Sequence, residues 1–392
     1  MRDSPPSPPP DPAPDPAPGP AADPGSEPAS DSASEVATKA TLKQRAPGIA
    51  LALLLGTLGG WAASALDLPL PWMIGAMTAT TVAAVAGAPI AMAQPLRTVM
   101  VAVLGVMLGS GFTPEILARL DEWIVSLLSL FAYIALAGGA GLLYFRRVCG
   151  YDPITAYFSA MPGGLSEMIV VGGEMGGDAR RISLAHASRL LLVVLTIPFA
   201  FRWLEEFEPG SRPAAGLPIA SIPPVDLGIL ALCGLVGFAL ARAVKVPAAA
   251  VVGPMLVSAV VHLAGWTDAA PPVELVSAAQ VAVGAAIGAR FAGTELRLVL
   301  QTLVQSFGAT AILVAVTLLF AGGLSLALDL DPRALVLAFA PGGLAEMSLI
   351  AIALGADAAF VATHHIVRIV LIVVLAPAAF RLMGWRRPPK RE

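Results

Sequence analysis

Long apolar stretches alternate with short polar or proline-containing breaks from about residue 48 to residue 380. A helix needs about 20 apolar residues, at about 1.5 Å each, to cover the hydrocarbon core of a bilayer. The pattern predicts segments at roughly 48–66, 70–92, 98–112, 122–145, 153–175 and 181–203. A polar gap from Glu205 to Pro224 follows, and then segments at 226–243, 247–264, 274–289, 299–326, 332–354 and 358–380.

The second set of six copies the first. At an offset of 178, Gly56, Gly59, Pro69, Gly75 and Met77 fall on Gly234, Gly237, Pro247, Gly253 and Met255. At an offset of 179, Gly105, Gly109 and Phe112 fall on Gly284, Gly288 and Phe291. That offset then holds to the end. Pro162-Gly163-Gly164-Leu165 meets Pro341-Gly342-Gly343-Leu344, and Glu167 meets Glu346. Asp178, His186 and Arg189 meet Asp357, His365 and Arg368.

One of the six segments in each set differs in kind. Segment 153–175 has about eight helical residues, then Met161-Pro162-Gly163-Gly164, then about ten more. Each arm reaches roughly half of the hydrocarbon core. This predicts a re-entrant hairpin, entering and leaving on one side, with a second at 332–354. Five crossings and one hairpin per copy make the two repeats inverted. The loop charges agree, since basic residues favour the cytoplasmic side. Arg146/Arg147, Arg180/Arg181 and Arg242/Lys245 then lie inside. Only Arg119, Arg212 and Arg333 face out, with the acidic Glu205, Glu206 and Glu208. The expected fold class is therefore an all-α polytopic membrane protein built from two inverted repeats, with both termini cytoplasmic.

Composition adds the ends of the chain. Hydrophobic residues make up 57% and charged residues 13% of 392, about half the charge of a soluble protein. Residues 5–28 hold 12 of the 35 prolines. They lack bulky apolar side chains, so residues 1–46 are expected to be a disordered, acidic, cytoplasmic tail rather than a signal peptide. That tail carries 4 of the 24 basic and 7 of the 27 acidic residues, leaving 20 of each beyond it. A neutral remainder offers nucleic acid no surface. The expected organisation is repeat 1 at 47–203, an extracytoplasmic linker at 204–225, repeat 2 at 226–383 and a basic tail at 384–392. Cys149 and Cys233 are too few for a disulfide framework or a metal cluster.

The breaks carry the candidate chemistry. Pro-Gly-Gly leaves backbone groups unpaired near the midplane, which must then face protein or a water-filled cavity. Two opposed broken helices are the usual build of a secondary-transporter site. Pro162, Gly163, Gly164, Leu165 and Ser166, with Pro341, Gly342, Gly343 and Leu344, are the candidate substrate-binding residues. The free N–H groups at each restart suit an anion. Ser166 is one-sided, because its counterpart is Ala345. Glu167 and Glu346 fit a proton- or Na⁺-coupling role, or a plain helix-start carboxylate. His186 and Arg189 share a helix face, as do His365 and Arg368. Each Arg either ties down Asp178, Asp357 or freed hairpin carbonyls, or lines an anion path with its His. His262 and His364 have no repeat partner and read as structural. The glycines at 56, 59 and 60, and at 138, 139 and 141, read as close helix packing. Leu68-Pro69-Leu70-Pro71-Trp72 reads as a tight turn ending in an interfacial Trp.

The run Pro69-Leu70-Pro71-Trp72-Met73-Ile74-Gly75-Ala76-Met77 and the two Pro-Gly-Gly-Leu-x-Glu-Met copies resemble the AbrB membrane family. That bacterial family is internally duplicated, and the resemblance covers about residues 47–385. It implies an inner-membrane protein and brings two labels: ammonia monooxygenase, and regulator of aidB expression. A copper or iron oxygenase needs clustered ligands, and the four His are dispersed. The expectation is a non-enzyme without cofactor or metal. Its partners would be the lipid bilayer and a small solute or ion, with a homodimer left open. Transport of a small anionic solute coupled to H⁺ or Na⁺ is the leading reading. A sensor acting through a partner is the alternative, and a monooxygenase comes third.

Overall fold

A computed structural model describes residues 30–117, 120–204 and 216–383. The chain divides into two units, Met1–Gln44 and Arg45–Glu392. The described residues contain helices and no strand. In chain order the first repeat comprises α1 (Ser30–Ala65), α2 (Pro71–Val85), α3 (Gln94–Gly109), the short α4 (Pro114–Leu117), α5 (Ile124–Arg147), α6 (Pro153–Ala160), α7 (Leu165–Glu174) and α8 (Ala179–Leu204). The second comprises α9 (Pro224–Ala243), α10 (Ala249–Leu263), α11 (Val273–Gly288), α12 (Leu296–Leu328), α13 (Pro332–Phe339), α14 (Leu344–Leu354) and α15 (Ala358–Leu382).

This is a multi-pass membrane protein. Among the described residues, seven helices are long and apolar enough to cross a bilayer, and α2, α3 and α10 are apolar helices of 15, 16 and 15 residues. Large apolar side chains stand on outer faces. Phe307, Leu319 and Leu326 of α12 are 63%, 65% and 93% exposed. Such a surface belongs in lipid, not in water.

Residues 1–29 lie outside the described residues, and α1 begins at Ser30, within the 1–46 segment expected to be disordered. The reason is local. No proline occurs between Pro28 and Pro47, and the intervening Ala, Glu, Lys and Leu residues favour a helix. The acidic loop at 205–215, Arg119 and the basic C-terminal tail also lie outside the described residues.

The duplication is visible in the backbone. Asp67 and Leu70 have positive φ (48° and 46°), and so do their counterparts Lys245 and Ala248 (56° and 53°). Few residues other than glycine adopt this conformation. It recurs because each copy must turn sharply into a short helix, α2 or α10.

Glycine sets the helix spacing. A side chain on Gly75 would strike the Gly59 carbonyl, and one on Gly253 would strike its counterpart, the Gly237 carbonyl. Between the repeats, Gly105 and Gly109 of α3 lie against the α10 backbone. Their counterparts Gly284 and Gly288 of α11 lie against α2. In lipid there is little hydrophobic drive between helices, so backbone-close packing holds them instead. Gly138 and Gly141 pack on Met161 and Ala160, whereas Gly139 faces open space and is not part of this packing.

Candidate functional site

Each hairpin segment is two short helices around a break. The arms α6 and α7 have 8 and 10 residues, and α13 and α14 have 8 and 11. Asp152 caps α6 by accepting from the Ile154 and Thr155 amides, both at 3.0 Å. Asp331 caps α13 by accepting from the Arg333 amide at 2.9 Å. The restarts have no such cap. The N-cap residues of α7, α14 and α10, Gly164, Gly343 and Ala248, supply no side-chain cap.

The carbonyls freed by the breaks are held by arginine. Arg189 Nη1 donates to Met161 O at 2.8 Å, and its Nη2 donates to His186 Nδ1 at 2.9 Å. His186 Nε2 then donates to Phe158 O at 2.9 Å. The second repeat repeats this atom for atom. Arg368 donates to Ala340 O at 2.7 Å and to His365 Nδ1 at 2.8 Å, and His365 Nε2 donates to Leu337 O at 3.0 Å. Arg368 also reaches Phe339 O (3.3 Å) and Gly342 O (3.0 Å). Because Arg can only donate, each Nδ1 is the acceptor and each ring is the neutral Nε2–H tautomer. Both ring nitrogens are thus taken up by protein. Asp178 and Asp357 do not serve these arginines. Asp178 accepts from the Arg181 amide at 3.0 Å, and Asp357 accepts from the Phe360 amide at 2.9 Å, so each starts the following helix.

The two breaks differ in detail. Gly164 is left-handed (φ 61°), but Gly343 is extended (φ −86°). The Glu346 carboxylate folds back over Gly343, where any side chain would overlap its Oε2. Ser166 is exposed and Glu167 half-buried, whereas Glu346 is 8% exposed. The Gly163 amide is also less free than expected, since it donates to Met161 O at 3.0 Å.

Both breaks open on one cavity of about 200 Å³. It is lined by Gly163, Gly164, Leu165, Ser166 and Glu167 from the first, and by Gly342, Gly343, Leu344 and Glu346 from the second. Arg189, His365 and Arg368 join them, while Pro162, Pro341, His186, Asp178 and Asp357 do not reach the lining. Gly163 sits against Ile372 and the Arg368 Nε of the opposite repeat. That Nε and its counterpart on Arg189 are buried and have no hydrogen-bond partner among the described residues.

Two further cations line the cavity, Arg97 of α3 and Arg290, just past the end of α11. Sequence reasoning missed both as site residues. Neither has a charged counterpart in the other repeat, so the duplication does not mark them. The available signal was an arginine embedded in an apolar stretch between Ile287 and Phe291. The lining thus carries four Arg and two Glu. Among the described residues, neither Glu makes a direct ion pair with any of the four. Three uncapped helix starts and this cation excess make the cavity suited to an anion.

The remaining histidines are structural. His364 Nε2 meets Ser126 Oγ at 2.8 Å and its Nδ1 meets Phe360 O at 2.8 Å. His262 lies between Ser258 O and Ala269 O, at 2.7 and 3.0 Å.

Comparison with known proteins gives a family match. The sequence model described as "Transition state regulatory protein AbrB" matches residues 72–384. The chain is similar to "Uncharacterized protein YhjN" of Bacillus subtilis (strain 168), with 29% identity over 85% of this chain and 92% of that one. It is also similar to "Putative regulator AbrB" of Escherichia coli (strain K12), with 25% identity over 83% of this chain and 93% of that one.

Proposed function

The chain belongs to the AbrB family, and from that membership and the cavity at its two helix breaks we propose that it is a secondary transporter of a small anionic solute, coupled to H⁺ or Na⁺. The cavity is the observation that carries this reading. Broken helices meeting at one charged, solute-sized space are the arrangement by which carriers hold a solute between repeats. Four arginines, two carboxylates and three uncapped helix starts favour an anion there. Glu167 and Glu346 are the candidates for the coupling cation, since a carboxylate at that depth otherwise costs stability. The site offers its histidines to neither metal nor proton relay in this reading, because His186 and His365 have both nitrogens engaged. That supports a carrier over an enzyme.

The inverted arrangement of the repeats belongs to the same proposal. Arg97 stands at the start of α3, and Arg290 stands just past the end of α11, the repeat counterpart of α3. Counterparts running antiparallel would bring these opposite ends to one cavity, which supports inversion. The loop charges favour both termini cytoplasmic, and inner-membrane location is part of the same proposal. Reporter fusions at residues 150 and 177 flank the first hairpin and should report the same side. A report of opposite sides would mean that the segment crosses, and inversion would fall.

The transport reading is tested by flux. Proteoliposomes carrying the protein should take up small labelled carboxylates under an imposed H⁺ or Na⁺ gradient. Glu167→Gln combined with Glu346→Gln should remove the gradient dependence. The printed name of the Escherichia coli relative favours a second reading, a membrane regulator acting through a partner. Full function of the double variant in cells, with no flux from the wild type, would favour that reading instead.

A further inference from the structure

Of the four cavity arginines, two are already committed. Arg189 and Arg368 spend their terminal nitrogens on Met161, Ala340 and Gly342 carbonyls and on histidine. Among the described residues, Arg290 makes only a long contact, 3.5 Å, to Ser183 Oγ. Arg97 is half-buried and forms no ion pair among the described residues. Both line the cavity together with Glu346. Yet none of the three directly pairs with another, although all three face the same cavity.

Three charges that line one void without pairing are arranged for a fourth. Resting on the transport reading, we propose that Arg97 and Arg290 form a two-cation seat for which the Glu346 carboxylate and a solute carboxylate compete. While Glu346 is charged, it offsets part of the field of the seat. When Glu346 takes a proton from the aqueous side of the cavity, the pair is released to hold the incoming anion. When the anion leaves, the proton leaves with it. Proton and anion therefore favour each other's binding, and the coupling is reciprocal.

The other charged or titratable groups facing Glu346 fit this scheme. Arg189 of α8 and Arg368 of α15 are tied to backbone carbonyls, and His365 of α15 has both nitrogens occupied. Glu167 of α7 lies on the opposite break and is half-buried. The solute class follows from the remaining wall. Val101, Val283, Ile287 and Ile369 line the same 200 Å³. A single carboxylate on a short apolar body satisfies both the seat and that wall, so the class is a short-chain monocarboxylate.

The test is calorimetric titration of the full chain in nanodiscs with the linear series from acetate to hexanoate, in buffers of different ionisation enthalpy. The wild type should take up protons as it binds, and its affinity should fall as pH rises. Glu346→Gln should bind with no proton uptake and with affinity independent of pH. Arg97→Gln and Arg290→Gln should each weaken binding by about tenfold or more, the usual effect of losing a hydrogen bond to a charged group. Arg97→Gln serves if Arg290→Gln does not fold, because Arg97 lies in the first turn of α3 and holds no backbone group. Wild-type affinity in Arg97→Gln, proton uptake persisting in Glu346→Gln, or no binding by any member of the series would each overturn the seat. Flux measured in parallel separates the two ideas. Proton-linked binding without flux would sink transport and leave the seat standing, whereas flux insensitive to Arg97→Gln would do the reverse.

Discussion

Arg368→Leu should leave the protein largely unable to fold, and Arg189→Leu should weaken it less. Arg368 is 1% exposed and holds three carbonyls at the second break, Phe339, Ala340 and Gly342, together with His365. Leucine would leave Ala340 O, Gly342 O and His365 Nδ1 without this donor, while Phe339 O would keep the Thr317 hydroxyl. Each such group costs about 1–3 kcal/mol, so a loss of about 3–5 kcal/mol is expected. Arg189 holds one carbonyl, Met161 O, and orients His186, so about 1–3 kcal/mol is expected there. Lysine should rescue neither, because one ammonium cannot reproduce the flat fork that spans a carbonyl and an imidazole nitrogen. Thermal melting in detergent, followed by tryptophan fluorescence, checks the order. If Arg368→Leu melts like the wild type, the arginine is not a splint and is available to a solute.

Gly75→Val and Gly253→Val should disrupt the two halves in the same way. In each case the new side chain meets a backbone carbonyl, of Gly59 or Gly237, and not a movable side chain. The helices must separate, which costs about 1–3 kcal/mol or more for overpacking and opens a gap along their length. Gly139→Ala and Gly322→Ala meet nothing within 4 Å and should leave melting unchanged or slightly raised. Wild-type melting of Gly75→Val together with Gly253→Val would show that the close glycine contacts do not set the packing.

These predictions rest on positions of different legibility. The breaks were readable because proline and glycine act on their own backbone. The eight- and ten-residue arms expected around Met161–Gly164 are the α6 and α7 observed. The duplicated glycines were readable because a repeat needs no geometry to detect. The roles of Arg189 and Arg368 stayed open in the sequence, since Asp178, Asp357 and the hairpin carbonyls were equally near along the chain. Folding chose the carbonyls, because a break leaves acceptors that lipid cannot satisfy, while each Asp already caps its own helix.

By itself the sequence determined an all-α membrane protein, its two copies, their broken helices and the polar residues repeated in both. These depend on hydropathy, helix breaking and self-similarity, all of which act locally along the chain. Only the tertiary structure decided that Arg97 and Arg290 share a cavity with Glu346, and that Gly164 and Gly343 hold different conformations. The reason is that a site between repeats is made by packing. α3 meets α11 across the pseudo-repeat, and residues about 190 positions apart come to face one void with no pattern in the chain to record it.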